Sequence, residues 1–170
     1  MNEAIASAQD LQHGFIRPFQ PDDFGAVARI VGESAALDRH TTYSYWANYR
    51  VFGSLFLVLE SEGQVRGFAM SIGPNAAGEA LFWQIGIAGS HRGQGLSKNL
   101  ALTMIRAIRQ QGGRRVLVTI AEGNNVSRAL FEGCARACNT QLAAVGPIPR
   151  MADDIAAETL YGFALAPESK

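Results

Sequence analysis

The run His91-Arg92-Gly93-Gln94-Gly95-Leu96-Ser97 lies between an apolar strand-like segment, Ala80 to Ile87, and a long helix-like one, Leu96 to Gln111. A glycine-rich turn that opens a helix after a strand leaves several backbone N–H groups unpaired and aimed at one point. Such a nest, with the positive end of the helix behind it, attracts an anion, most often a phosphate. Arg92 adds a fixed cation, and Gly93 and Gly95 let the backbone approach a bulky diphosphate. A plain helix-start turn would carry the same glycines. Two other phosphate loops do not fit. The pattern G-x-G-x-x-G would need a glycine where Lys98 stands, and G-x-x-x-x-G-K-[ST] occurs nowhere in the chain.

A second group of reactive residues lies upstream, in Leu37-Asp38-Arg39-His40-Thr41-Thr42-Tyr43-Ser44-Tyr45-Trp46. The Asp38 carboxylate can hold an ammonium and then take its proton, or it can cap the following helix. His40 titrates near neutrality and suits either a base or a surface position. Tyr43 and Tyr45, two apart, cannot share a helix face, so one lines a pocket and the other packs. Trp83 would wall an aliphatic chain or fill the core. Glu158 offers a second carboxylate, with a water-facing acid at a sheet edge as its default reading.

These residues need elements to position them. A strand at 14–19 precedes a helix from Pro21 to about Leu37, with Asp22 and Asp23 in its first turn. A second helix covers Asp38 to Phe52, started by Asp38 or Thr41. Strands at 55–59, 65–71 and 79–87 form a meander. Helix 95–111 stops at Gly112-Gly113, and strand 115–121, helix 125–138 and strands near 140–145 and 158–165 follow. The order is that of an α/β domain with helices covering a mostly antiparallel sheet. The connection from strand 79–87 through helix 95–111 to strand 115–121 is expected to be a right-handed parallel crossover. Gly86 and Gly89 suit a bulge or the backbone approach of a ligand.

Composition narrows the function. The chain has 170 residues, 48% hydrophobic and 18% charged, which fits one globular domain, assigned to 13–168 after a flexible tail at 1–12. Fifteen basic residues balance fifteen acidic ones, so nothing points to nucleic acid or a membrane surface. Cys134 and Cys138 read as reduced, packed thiols, and with His13, His40 and His91 they show no metal-ligand spacing. The N-terminus lacks the charged start and apolar core of a signal peptide, and the expected location is cytoplasmic.

The slots R-x-x-G-x-[small], filled by Arg92, Gly95 and Ser97, resemble the pyrophosphate loop of the GNAT acyltransferases, which hold acetyl-CoA. That family usually has Gly or Ala at the place of Ser97. The segment Asn124 to Phe131 resembles the family's N-x-x-[AS]-x-x-L-[YF], with Asn124, Ser127, Leu130 and Phe131 at matching places. Asp38, Tyr43, Tyr45, Trp83 and Gln84 add a resemblance to a narrower group, the diaminobutyrate acetyltransferases of ectoine synthesis. His40 stands where that group has Asn, and the C-terminal stretch keeps Glu158 and Leu160-Tyr161 but lacks the group's His and Arg.

The resemblance implies a GNAT-type sheet whose two parallel strands splay apart, with backbone groups of Ile85 and Ile87 holding pantetheine. Arg92, Gly93, Gln94, Gly95, Leu96 and Ser97 would hold the diphosphate, with Asn124 and Ser127 completing the cofactor site. His40, Tyr43, Tyr45 and Trp83 would bind the acceptor, and Asp38 and Glu158 would be catalytic. The Ile87 N–H would polarise the thioester. Phe131 replaces the Tyr with which many family members protonate the leaving thiolate. The implied activity is acetyl transfer from acetyl-CoA, without a metal, to a primary amine of a small amino acid or diamine such as 2,4-diaminobutyrate. A CoA-binding sensor without turnover and a protein N-acetyltransferase are the alternatives. Family members often dimerise, and the aromatics near Tyr49 and Phe52 would serve a homodimer contact or the core equally well.

Overall fold

The computed structural model describes residues 14–35, 37–148 and 157–166. The expected tail at 1–12 lies outside the described residues, as do both ends of the 13–168 unit. In chain order the elements are β1 (Phe15–Pro18), α1 (Phe24–Gly32), α2 (Thr42–Phe52), β2 (Phe56–Ser61), β3 (Gln64–Ile72), β4 (Glu79–Ile87), α3 (Leu96–Gln110), β5 (Arg115–Ala121), α4 (Asn125–Ala137), β6 (Ala143–Pro147) and β7 (Glu158–Ala164). Short 3-10 turns precede α1, β2 and α3. The strands form one sheet in the order β1-β2-β3-β4-β5-β7-β6. All pairs are antiparallel except β4 with β5. This is the mixed, mostly antiparallel architecture expected from the order of elements.

Burial divides the molecule into two apolar layers. Leu100, Met104, Ile105 and Ile108 of α3, spaced at helical intervals, and Phe131 and Cys134 of α4 pack with Leu57, Ala69, Phe82 and Val116 on one face of the sheet. Ile30 of α1 and Tyr45 of α2 pack with Phe56, Val58, Phe68 and Met70 on the other face.

The first helix is shorter than its sequence suggests. It ends at Gly32, where Glu33 N–H and Ser34 N–H close the last turn on Arg29 and Val31 carbonyls. The Arg39 guanidinium donates to the Gly32 carbonyl at 3.1 Å and blocks further extension. The second helix starts at Thr42, because the Thr41 hydroxyl accepts from Ser44 N–H at 3.2 Å. The cap belongs to Thr41, and Asp38 stays outside both helices.

Two irregularities matter for the site. Parallel pairing of β4 with β5 runs from Glu79–Arg115 to Phe82–Val118 and stops there, although both strands continue. Ala88 N–H donates to Arg66 C=O at 2.7 Å, continuing the β3–β4 ladder. By alternation, the N–H and C=O groups of Ile85 and Ile87 point away from β3, into the gap between β4 and β5. The second irregularity is a bulge on β4. Met70 pairs with Gln84 but Ser71 with Phe82, which leaves Trp83 as the extra residue. The bulge thus lies at Trp83, where the sequence suggested Gly86. Gly86 has a packing cause instead: a Cβ there would lie 2.8 Å from both Leu37 and Phe68 side chains.

Candidate active site

The bulge at Trp83 switches the faces of β4. Ala80 and Phe82 pack on the α3–α4 side, and so do Ile85 and Ile87 beyond the bulge. Trp83 and Gln84, consecutive in sequence, therefore both face α1 and α2. Against them lies the irregular segment that follows α1. The His40 ring sits 4.7 Å from the Trp83 ring and 6.0 Å from that of Tyr45. Gln84 Nε2 donates to the Asp38 carbonyl at 2.8 Å, and Tyr45 Oη donates to Gln84 Oε1 at 2.9 Å. Asp38 is exposed, whereas Tyr45 and Gln84 are buried.

Burial sets the protonation of this wall. It pushes the His40 imidazole below its ordinary pKa, against a smaller upward pull from Asp38. It also pushes the Tyr45 hydroxyl above its ordinary pKa. At neutral pH His40 is a neutral imidazole and Tyr45 a protonated donor. The two tyrosines lie in different environments. Tyr43 is 72% exposed and rests on Trp46, with ring centroids 5.6 Å apart, while Tyr45 packs with its hydroxyl committed inside the protein.

Around the corner from this wall, β4 leads through the turn Gly89–His91 into the glycine loop. Gly93 and Gly95 have φ of +77° and +76°, values that side-chain-bearing residues rarely adopt. Gly95 is the N-cap of α3 and carries no side-chain oxygen to cap it. Its carbonyl accepts from Lys98 and Asn99, so the first-turn N–H groups before them have no helical acceptor. Arg92 Nε donates to the Ile87 carbonyl at 3.1 Å, which ties the guanidinium to the end of β4 beside the nest. Leu96 is buried under the loop, Ser97 is half-buried, and Gln94 and Lys98 are exposed.

The far wall of the gap is β5 and the start of α4. Asn124 Oδ1 accepts from Ser127 N–H at 3.1 Å and caps α4. Phe131 is buried edge-to-face on Phe82, 5.0 Å between centroids, at the point where β4 and β5 part. Glu158 opens β7 opposite Ala121, the last residue of β5. It is half-buried, and β7 is an inner strand with β6 outside it, so Glu158 is not a sheet-edge acid. In register, Ala121 lies close to the level of Ile85, so Glu158 is carried on the strand beyond β5, across the gap from β4.

Other groups are accounted for by packing. Burial pushes the Cys134 thiol up to about 11, as for an inert core residue. No group of three or more His, Cys, Asp or Glu among the described residues is placed to hold a metal. A concavity of about 520 Å³ between Arg109, Arg114 and Leu165 lies at the C-terminal end of α3, remote from the nest. Gln84 and Asn48 carried no role in the sequence reading. Both are buried; Asn48 Nδ2 donates to the Ser71 carbonyl at 3.4 Å, while its Oδ1 lacks a partner among the described residues. A polar residue next to Trp83 in an apolar strand was the available signal for Gln84.

A glycine nest at the foot of two parting parallel strands, with an acid and a neutral imidazole at the other end, defines a class. The chain belongs to the acetyltransferase (GNAT) family, whose model matches residues 18–135. Among its relatives is the L-2,4-diaminobutyric acid acetyltransferase of Virgibacillus pantothenticus, 30% identical over 121 residues, covering 71% of this chain and 76% of the relative. The enzyme of the same name from Shouchella clausii is 32% identical over 117 residues, covering 68% and 66%. The fold also matches the diaminobutyrate acetyltransferase EctA from Paenibacillus lautus, solved with L-2,4-diaminobutyric acid and coenzyme A. That match has a TM-score of 0.77 and 25% identity, and covers 89% of this chain and 94% of that one.

Proposed function

We propose that this chain transfers the acetyl group of acetyl-CoA to a primary amine of a small diamino acid, with 2,4-diaminobutyrate as the first candidate. The observation that carries the reading is the parting of β4 and β5 beyond Phe82 and Val118, with the nest at one end and the Asp38–His40–Trp83 wall at the other. The names and substrates of the relatives above support the choice of acceptor.

The residues present fit the co-substrate. Its pantetheine arm has amides that match the N–H groups of Ile85 and Ile87 and the C=O of Ile85 along the open edge of β4, the Ile87 carbonyl being taken by Arg92. Its diphosphate matches the uncapped turn from Gly93 to Ser97, with Arg92 at hand and the Asn124–Ser127 turn closing the far side. Acetyl-CoA supplies a thioester carbonyl as acyl donor, and the Ile87 N–H is the donor placed along that edge to polarise it.

The acceptor must arrive neutral. A side-chain ammonium has a pKa near ~10.4, so its neutral form at pH 7 is disfavoured by about 4–5 kcal/mol. Asp38, exposed at the mouth, holds the ammonium and receives its proton directly or through water. His40 is already neutral against Trp83 and contributes a second basic nitrogen, while Trp83 walls the aliphatic part of the acceptor. Glu158 supplies charge from the opposite wall. Phe131 has no proton to give and is committed to the core, so the leaving thiolate is protonated by another group or by water.

The test is release of CoA thiol from acetyl-CoA with 2,4-diaminobutyrate, polyamines, other diamino acids and peptides, with the acetylated nitrogen located by NMR. Turnover of a small diamino acid supports the reading. Acetyl-CoA binding without turnover of any amine would establish the non-catalytic alternative.

A further inference from the structure

Gln84 sits in apolar surroundings, 7% exposed, beneath α2. A buried primary amide is costly unless both ends are bonded. Here both are, and the directions are forced. The Asp38 carbonyl can only accept, so the NH2 of Gln84 faces it at 2.8 Å. Gln84 Oε1 then faces Tyr45, whose hydroxyl must donate, at 2.9 Å. The Tyr45 ring also lies 6.0 Å from that of His40. Asp38 is thus gripped through its main chain, which leaves its side chain available, while the His40 ring rests near Trp83 and Tyr45.

That grip matters because the segment between α1 and α2 belongs to no helix or sheet that would fix it. Among the contacts that locate its described residues are Arg39 on Gly32, Leu37 over Gly86, His40 on Trp83, and the pair Gln84–Tyr45. The bulge makes the last possible. In a regular strand Trp83 and Gln84 would face opposite sides of the sheet. Here the indole meets the His40 ring while the next residue holds the Asp38 backbone.

We propose that Gln84 and Tyr45 act as a positioning pair for the acceptor, holding the Asp38 and His40 side chains at the spacing that a small amine requires. Neither touches the reacting atoms. The proposal rests on the reading of this wall as the acceptor side.

The test compares wild type with Gln84→Leu, Tyr45→Phe and the double variant. Two readouts need no turnover: the ring-current shift that Trp83 imposes on the His40 ring protons in NMR, and amide exchange across Leu37 to Thr41. Loss of the shift and at least ~10-fold faster exchange are expected in Gln84→Leu, with a smaller change in Tyr45→Phe. The kinetic expectation is a KM for the amine raised about tenfold or more, with KM for acetyl-CoA within about twofold. The double variant should be scarcely worse than Gln84→Leu alone, because the two residues act as one unit. Should Gln84→Leu fail to fold, Tyr45→Phe, which keeps the ring, decides. Folded variants that keep the His40 shift, the exchange rates and the amine KM while losing only thermal stability would overturn the proposal. If wild type leaves 2,4-diaminobutyrate unacetylated, the functional reading fails, yet the NMR arm still decides whether the pair holds the segment.

Discussion

At the scale of single residues, Asp38 and His40 are two apart in the chain but live in different environments. Asp38 is exposed and free of any helix cap, so its replacement removes charge and little else. Asp38→Asn is expected to lower kcat/KM for the amine about a hundredfold and to leave the unfolding midpoint and KM for acetyl-CoA unchanged. His40 is held below its ordinary pKa by burial against Trp83 and Tyr45, opposed by Asp38. Because the folded value is the lower one, its neutral form stabilises the fold fully above the unfolded pKa of about 6.5. That contribution is lost as pH falls through the folded value. Urea unfolding at pH 7.5 and pH 5 should therefore show a smaller loss of stability on acidification in His40→Asn than in wild type. Equal losses would place the ring in water.

At the scale of elements, the glycine loop is a conformational device. Nothing lies within 4 Å of a Cβ built on Gly95, so Gly95→Ala meets no clash and is penalised only through its φ of +76°. The left-handed conformation costs a residue with a Cβ roughly 1–2 kcal/mol, which relaxation of the loop would relieve by dispersing the nest. The expected result is a KM for acetyl-CoA raised about tenfold, with the amine KM unaffected; steady-state kinetics at saturating amine checks it. The elements themselves were largely legible in the sequence, since apolar runs on either side of the turn at 61–64 mark β2 and β3 and helical spacing marks α3. The end of α1 was not, because Arg39, seven residues downstream, closes it. The bulge was hidden for another reason. Its signature is a mismatch in pairing between β3 and β4, and a single strand's pattern holds no record of its partner's register. Alternation alone would put Trp83 and Gln84 on opposite faces, and Gln84, matched only by resemblance, carried no role at the site.

At the scale of the molecule, the site is assembled from distant parts of the chain: the segment after α1, the bulge in β4, the loop before α3, and the start of β7. Motif spacing located the nest because all its parts are consecutive. It could not show that Glu158 is carried to the end of β5, across the gap from β4, since that depends on the β5–β7 register. Gly86 joins several of these parts, with Leu37, Phe68 and Ile30 all crowding the place where its Cβ would be. Gly86→Ala should cost about 1–3 kcal/mol and, by lifting Leu37, raise the amine KM as well. Denaturation and kinetics on the same preparation check both effects, and a stability loss alone would uncouple Gly86 from the site.

The most direct measurement is the ratio of kcat/KM for 2,4-diaminobutyrate to that for a peptide with a free N-terminus, both at saturating acetyl-CoA. A wall formed by His40 and Trp83 over a gripped backbone segment predicts a ratio of at least about 100 in favour of the diamino acid, equivalent to roughly 2.7 kcal/mol of discrimination in the transition state. A ratio near or below one would show an open, peptide-accepting groove and contradict the assignment of this wall to a small amine.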